Sequence, residues 1–286
     1  MTRLFIAFQY LIPQHFLSRL VARFAESKTF KKPFINFFIR RYRVDLSEAI
    51  IQDPDEFKNF NAFFTRELKA DARPLANESA AVVCPADGAV SQIGNIVDNK
   101  LLQAKGRYYS VADLLAGDIS MAENFQEGVF ATIYLSPRDY HRVHMPVAGV
   151  LQKTIYVPGD LFSVNQSTAE AVPNLFARNE RLVCLFQTDA GPMVLVLVGA
   201  MIVAGIDTVW SGQVCPPSGK ATIRSVDYTD HNPPIELAMG AEMGRFRLGS
   251  TAIVLFGHGV VELQSSLKAN SCVSMGQLLG LKNSTD

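Results

Sequence analysis

The chain has 286 residues, 48% of them apolar, which is enough for one full core with or without a small appendage and excludes disorder as the default. Lys+Arg and Asp+Glu balance at 27 each, against a nucleic-acid partner, yet the first 43 residues hold nine basic groups against Glu26 alone, so a +8 segment is followed by a −8 remainder. Cys84, Cys184, Cys215 and Cys272 are too scattered for a close-spaced zinc site or a disulfide scaffold, so a reducing, cytosolic setting is expected.

Three amphipathic helices are expected at the start. Leu4, Phe5, Phe8, Leu11 and Ile12 recur at helical spacing up to Pro13. Phe16, Leu17, Leu20, Val21 and Phe24 repeat the pattern with Arg19 and Arg23 on another face, and Pro33 suits the start of a third helix carrying Phe34, Phe37, Phe38, Arg40 and Arg41. A fourth helix is expected from about Asp55 to Leu68, with Phe57, Phe60, Phe63 and Phe64 as its apolar face. No stretch reaches the roughly 18 apolar residues that span a bilayer, and the N-terminus shows no secretory signal.

From about Ala81 the pattern changes to β-branched runs separated by Gly, Pro and Asp. Strands are expected at Val82-Val83, Val129 to Leu135, Val150 to Val157, Leu182 to Phe186, Met193 to Val203 and Thr251 to Phe256, with a surface loop from Ser225 to Ala238. The fold class is therefore α+β: N-terminal amphipathic helices, residues 1–45, on a mainly antiparallel β core, residues 46–286.

Three segments carry chemistry. In Tyr140-His141-Arg142-Val143-His144-Met145-Pro146, two of five histidines sit three apart; a metal pair, or one core and one surface histidine, are both compatible with that spacing. Cys84-Pro85-Ala86-Asp87-Gly88 places an acid in a tight turn, where Asp-Gly is also ordinary hairpin chemistry. Arg245-Phe246-Arg247-Leu248-Gly249-Ser250-Thr251 leads into an apolar strand and by itself reads as a turn. Together they supply a carboxylate, a histidine base and a hydroxyl nucleophile, in the order Asp87, His144, Ser250.

Taken as a set, the segments resemble the phosphatidylserine decarboxylase family. The resemblance rests on Leu248-Gly249-Ser250-Thr251, Pro85-Ala86-Asp87-Gly88, Tyr140-His141-Arg142-Val143-His144, Pro158-Gly159-Asp160-Leu161-Phe162-Ser163-Val164 and Phe63-Phe64-Thr65-Arg66, and runs from about residue 50 to 265. It implies a precursor that cuts itself between Gly249 and Ser250, leaving chains 1–249 and 250–286 that stay associated, and homodimers of that pair. Ser250 becomes the covalent pyruvoyl group, the cofactor for converting phosphatidylserine to phosphatidylethanolamine. On this resemblance His144 takes the Ser250 hydroxyl proton, Asp87 orients the imidazole, and His141 is the candidate proton donor in decarboxylation, with no metal. A lipid substrate gives the basic, aromatic N-terminus a role on an anionic membrane surface, at the cytoplasmic face. The alternatives are a serine hydrolase or peptidase using Asp87, His144 and Ser250, against which the absence of Gly-x-Ser-x-Gly speaks, and a non-catalytic membrane-binding β module.

Overall fold

The structure, a computed structural model, describes residues 2–29, 31–201, 205–215 and 221–283; for residues 2–4 and Ser250 it describes the backbone only. The three expected helices are α1 (Thr2–Leu11), α2 (Gln14–Glu26) and α3 (Lys31–Tyr42). Pro13 separates the first two, and Pro33 falls in the first turn of the third, where a missing N–H costs no helical bond. The fourth helix, α4, is one short element, Phe60–Phe64. It starts late because the Asn59 side chain accepts from Ala62 N, while residues 53–56 are tied in a turn through Asp53. All four expected phenylalanines are nevertheless buried.

Among the described residues, nine strands form one antiparallel sheet. Its centre runs Gly149–Val157, Arg181–Thr188, Gly191–Val198, Ser250–Phe256, Val129–Leu135, Gly88–Asn95. Ser250–Phe256 is therefore an inner strand, paired on both sides. Successive residues feed opposite cores: Ala252, Val254 and Phe256 face one, Ile253 and Leu255 the other. Burial on both faces explains why these strands read as continuous apolar runs rather than alternating ones. Gly88 opens its strand with φ +152°, and a Cβ there would lie 2.2 Å from Tyr134 O; glycine lets the two backbones meet.

Two smaller sheets cover the first face. One runs Gly212–Cys215, Ile206–Thr208, Glu242–Phe246, Arg142–His144; the other runs Ala81–Val83, Leu278–Lys282, Val261–Leu263. Short helices and a hairpin cover the second face. A third core, almost wholly phenylalanine, joins α2, α3 and α4 through Ala25, Ile35, Phe38, Phe57, Phe60, Phe63 and Phe64, with Leu248 packed against it.

Two expectations changed. The segment Ser225 to Ala238 is not all loop: Arg224–Asp227 and Glu236–Leu237 both pair with Gly149–Val157, adding edge pieces whose exposed side chains hid the strand signal. The strand from Met193 ends at Val198, where the Gly199 N–H turns to Glu180 O; Val203 lies outside the described residues.

Candidate functional site

The site is built where the cleavage segment meets the histidine strand. Strand pairing sets Arg245 opposite Arg142 and Glu242 opposite His144, and the Phe246 N–H donates to His141 O at 3.0 Å. The next residues, Arg247 to Gly249, leave this small sheet, and Ser250 enters the large one opposite Leu135. Gly249 sits at the crossing with φ +29°, in the region that side-chain-bearing residues avoid. A Cβ built there would have one near neighbour, His141 Nε2, at 4.0 Å.

His141 is fully buried, with its ring on Phe64 at 3.9 Å between centroids. Its Nδ1 lies 2.8 Å from Asp139 O. A carbonyl only accepts, so Nδ1 carries the proton and Nε2 the lone pair. That Nε2 has no hydrogen-bond partner among the described residues. Burial, with the Arg66 charge second, pushes the ring down to about 3, so it is neutral at ordinary pH.

His144 has the same tautomer for the same reason. Its Nδ1 donates to Gly240 O at 2.8 Å, and its Nε2 accepts from the Tyr140 hydroxyl at 3.0 Å. Burial lowers it too, opposed by the Gly240 carbonyl and by the Glu242 and Asp87 carboxylates. Tyr140 itself is raised by burial, so its hydroxyl keeps its proton.

Asp87 is brought into the same neighbourhood, because the His144 N–H donates to Pro85 O at 2.8 Å. Its carboxylate, however, accepts from Arg73 Nε at 2.8 Å, from Arg73 Nη2 at 2.6 Å and from Met275 N at 2.8 Å. Arg73 is held in turn by Glu48. Among the hydrogen bonds of the described residues, none joins Asp87 to His144; the Gly240 carbonyl orients the ring instead. The Ser250 side chain lies outside the described residues. The chain is continuous through Gly249-Ser250, so this is the geometry of the uncut chain.

Sequence reasoning did not single out Arg73 or Gly240, and it named Arg66 only as the last residue of the segment Phe63-Phe64-Thr65-Arg66, without a role. The signal for Arg73 is faint, a lone arginine in a loop before Pro74, and only folding brings it to Asp87. Arg66 is 5% exposed, with Nε and Nη1 unpartnered and Nη2 shared between the carbonyls of Arg138 and Asp139. It therefore grips the same Asp139 carbonyl as His141.

Comparison with known proteins agrees with these segments. Residues 60–281 match the family described as phosphatidylserine decarboxylase, and residues 4–43 match one described as PSD. The chain is 58% identical to the phosphatidylserine decarboxylase proenzyme of Ectopseudomonas mendocina, over 97% of this chain and 98% of that protein. It is 58% identical to the proenzyme of the same name from Pseudomonas aeruginosa (98% and 97% covered), and 56% identical to that of Pseudomonas entomophila (98% of each). A match of this length and identity, across all five motif segments, makes the chain a member of the phosphatidylserine decarboxylase family.

Proposed function

We propose that this protein decarboxylates phosphatidylserine to phosphatidylethanolamine after cutting itself at Gly249-Ser250. The observation that carries the reading is the junction itself: a glycine at positive φ, free of side-chain obstruction, beside a buried histidine lone pair at the head of an inner strand. Attack of Ser250 Oγ on the Gly249 carbonyl exchanges the amide for an ester. Elimination across Cα–Cβ of residue 250 then releases the Gly249 carboxylate, and hydrolysis of the resulting dehydroalanine yields ammonia and a pyruvoyl group. That group supplies an electron sink for loss of carboxylate from an amine substrate. The orphaned Nε2 of His141 fits such a centre, since it can exchange a proton at the reacting carbon.

Within this reading His144 accepts the Ser250 proton through Nε2, once the Tyr140 hydroxyl yields that lone pair. Gly240 O stabilises the charged ring, and Asp87 adds a nearby negative charge. His141 serves the decarboxylation: a ring so acidified by burial releases its proton readily once it holds one. One observation favours exchanged roles, because in the uncut chain it is His141, not His144, whose Nε2 is unpartnered and turned to Gly249. Intact mass separates the two. Under the first assignment Ser250→Ala and His144→Ala each leave one uncut polypeptide while His141→Ala still cuts and decarboxylates poorly; under the second, His141→Ala stays uncut. Normal processing of Ser250→Ala would overturn both.

The reading extends to residues 1–45 as a peripheral membrane element, on the cytoplasmic face, with residues 46–286 as the catalytic unit and the two cut chains remaining together. Exposed Phe8, Leu11, Phe16, Leu20 and Phe37 beside the basic residues support it, Leu11 being 83% and Phe16 68% exposed. No helix among the described residues is long and apolar enough to cross a membrane. Removal of residues 1–43 is expected to abolish binding to anionic vesicles; undiminished binding would refute the assignment.

A further inference from the structure

A polar cavity of about 600 Å³ opens between the end of α2, α4 and the strand leading to Gly249. Its walls carry Lys58, Arg245 and Arg247 against Glu26 and Asp207, a net charge of +1. Arg247 is spent on Asp207 and Glu26, and Arg245 on Glu242. Lys58 is exposed and has no ion-pair partner among the described residues.

Asn61 lines the same cavity and is only 8% exposed, yet neither Oδ1 nor Nδ2 has a hydrogen-bond partner among the described residues. A buried amide left unpaired is unfavourable, so a ligand that supplies its partners recovers that cost. Asn61 is not needed to hold α4 in place. The helix start is capped by the Asn59 side chain, and only the Asn61 main-chain carbonyl is engaged, by Thr65.

We infer that this cavity binds the phosphodiester of the phospholipid substrate, with Lys58 as its counter-ion and the Asn61 amide as a buried donor. Charge fits, since a phosphodiester is a monoanion and the walls carry one surplus positive charge. Arg247, on the cavity wall, lies three residues before Ser250, on the segment that runs into the cleavage junction. Glu26, the last residue of α2, forms part of the wall, so the cavity lies at the end of a helix whose Phe16 and Leu20 are exposed.

The inference rests on residue 250 as the reactive centre, and its test is chosen to be independent of cutting. Glycerophosphoserine and glycerophosphoethanolamine, both free of acyl chains, are titrated into the full-length protein by calorimetry, alongside an intact mass of the same sample. Both probes carry the phosphodiester; only the first carries the carboxylate. Lys58→Glu and Asn61→Leu should each weaken both probes by roughly tenfold, the scale of one charge-assisted hydrogen bond. Weakening of glycerophosphoserine alone would assign the cavity to the carboxylate and overturn the inference, as would unchanged binding of both. Lys58 is exposed, so its variant reads the result even where Asn61→Leu fails to fold. An uncut wild-type mass would instead fault the Ser250 reading and leave the binding comparison standing.

Discussion

The sheet and the N-terminal helices solve the burial problem in opposite senses. In the strand Ser250–Phe256 every described side chain is buried, and two cores are filled from alternate residues. On α1 and α2 much of the docking is polar. Gln9 is fully buried, accepting from Ser163 N at 2.7 Å, Gln14 accepts from Leu161 N at 2.6 Å, and His15 meets Gly159 O at 2.9 Å. The apolar residues Phe8, Leu11, Phe16 and Leu20 are left outside. Amphipathicity in a sequence therefore shows that a helix has two faces; it does not show which face meets the protein.

The comparison is broken most severely in the sheet. Phe256→Ala, at a side chain 1% exposed between packed sheets, should cost about 3–5 kcal/mol, since the surrounding strands cannot collapse into the hole. Urea unfolding followed by tryptophan emission or circular dichroism reads this directly. A loss below about 1 kcal/mol would mean that this core is loosely packed.

The next effect is on pH. Folding depresses His141 from the ordinary 6.5 to about 3, so between those values the unfolded chain binds a proton that the folded chain refuses. Its contribution to stability is complete above pH 6.5 and is lost as pH falls toward 3, by up to about 1.4 kcal/mol per pH unit for a single ring. His144 is shifted the same way and adds to the slope. Replacement of His141 by Gln should flatten the acid limb of a stability-against-pH curve. An unaltered slope would show that the ring is not held neutral by burial.

Much of the sheet could be read because burial on both faces leaves long apolar runs: Val129 to Leu135 matched to the residue, and Thr251 to Phe256 within one. The exposed edge strand Arg224–Asp227 could not, since its pairing lies in backbone hydrogen bonds that composition does not encode. The site divides in the same manner. His141, His144, Asp87 and the Gly249-Ser250 junction stand in motifs local in sequence. Their partners do not: Arg73 for Asp87 and Gly240 for His144 are brought in by tertiary contact, 14 and 96 residues away. Each is a backbone carbonyl or a loop arginine with no periodic mark.

Gln9 tests the helix side of the comparison. Gln9→Ala removes an acceptor from the half-buried Ser163 N–H and a contact to the buried Thr168, for a loss of about 1–3 kcal/mol in the docking of α1. Hydrogen exchange should show α1 amides opening while those of Ser250–Phe256 stay protected. Simultaneous opening of both would mean that helices and sheet unfold as one unit.

The smallest expected change in stability carries the sharpest contrast. Phe16 and Leu20 lie on α2 at 68% and 55% exposure, so the double change to Ser removes little buried area and should alter unfolding free energy by less than about 0.5 kcal/mol. Vesicle binding should respond quite differently, since the apolar face would lose two of the side chains available to enter the headgroup region. The basic residues Arg19 and Arg23 remain on the same helix, so the residual binding should become more salt-sensitive, charge being screened within about 10 Å at 0.1 M. Flotation with anionic vesicles at two salt concentrations separates the contributions. Unchanged flotation with unchanged stability would leave the outward apolar face without a partner and would remove the reason for docking these helices through glutamines.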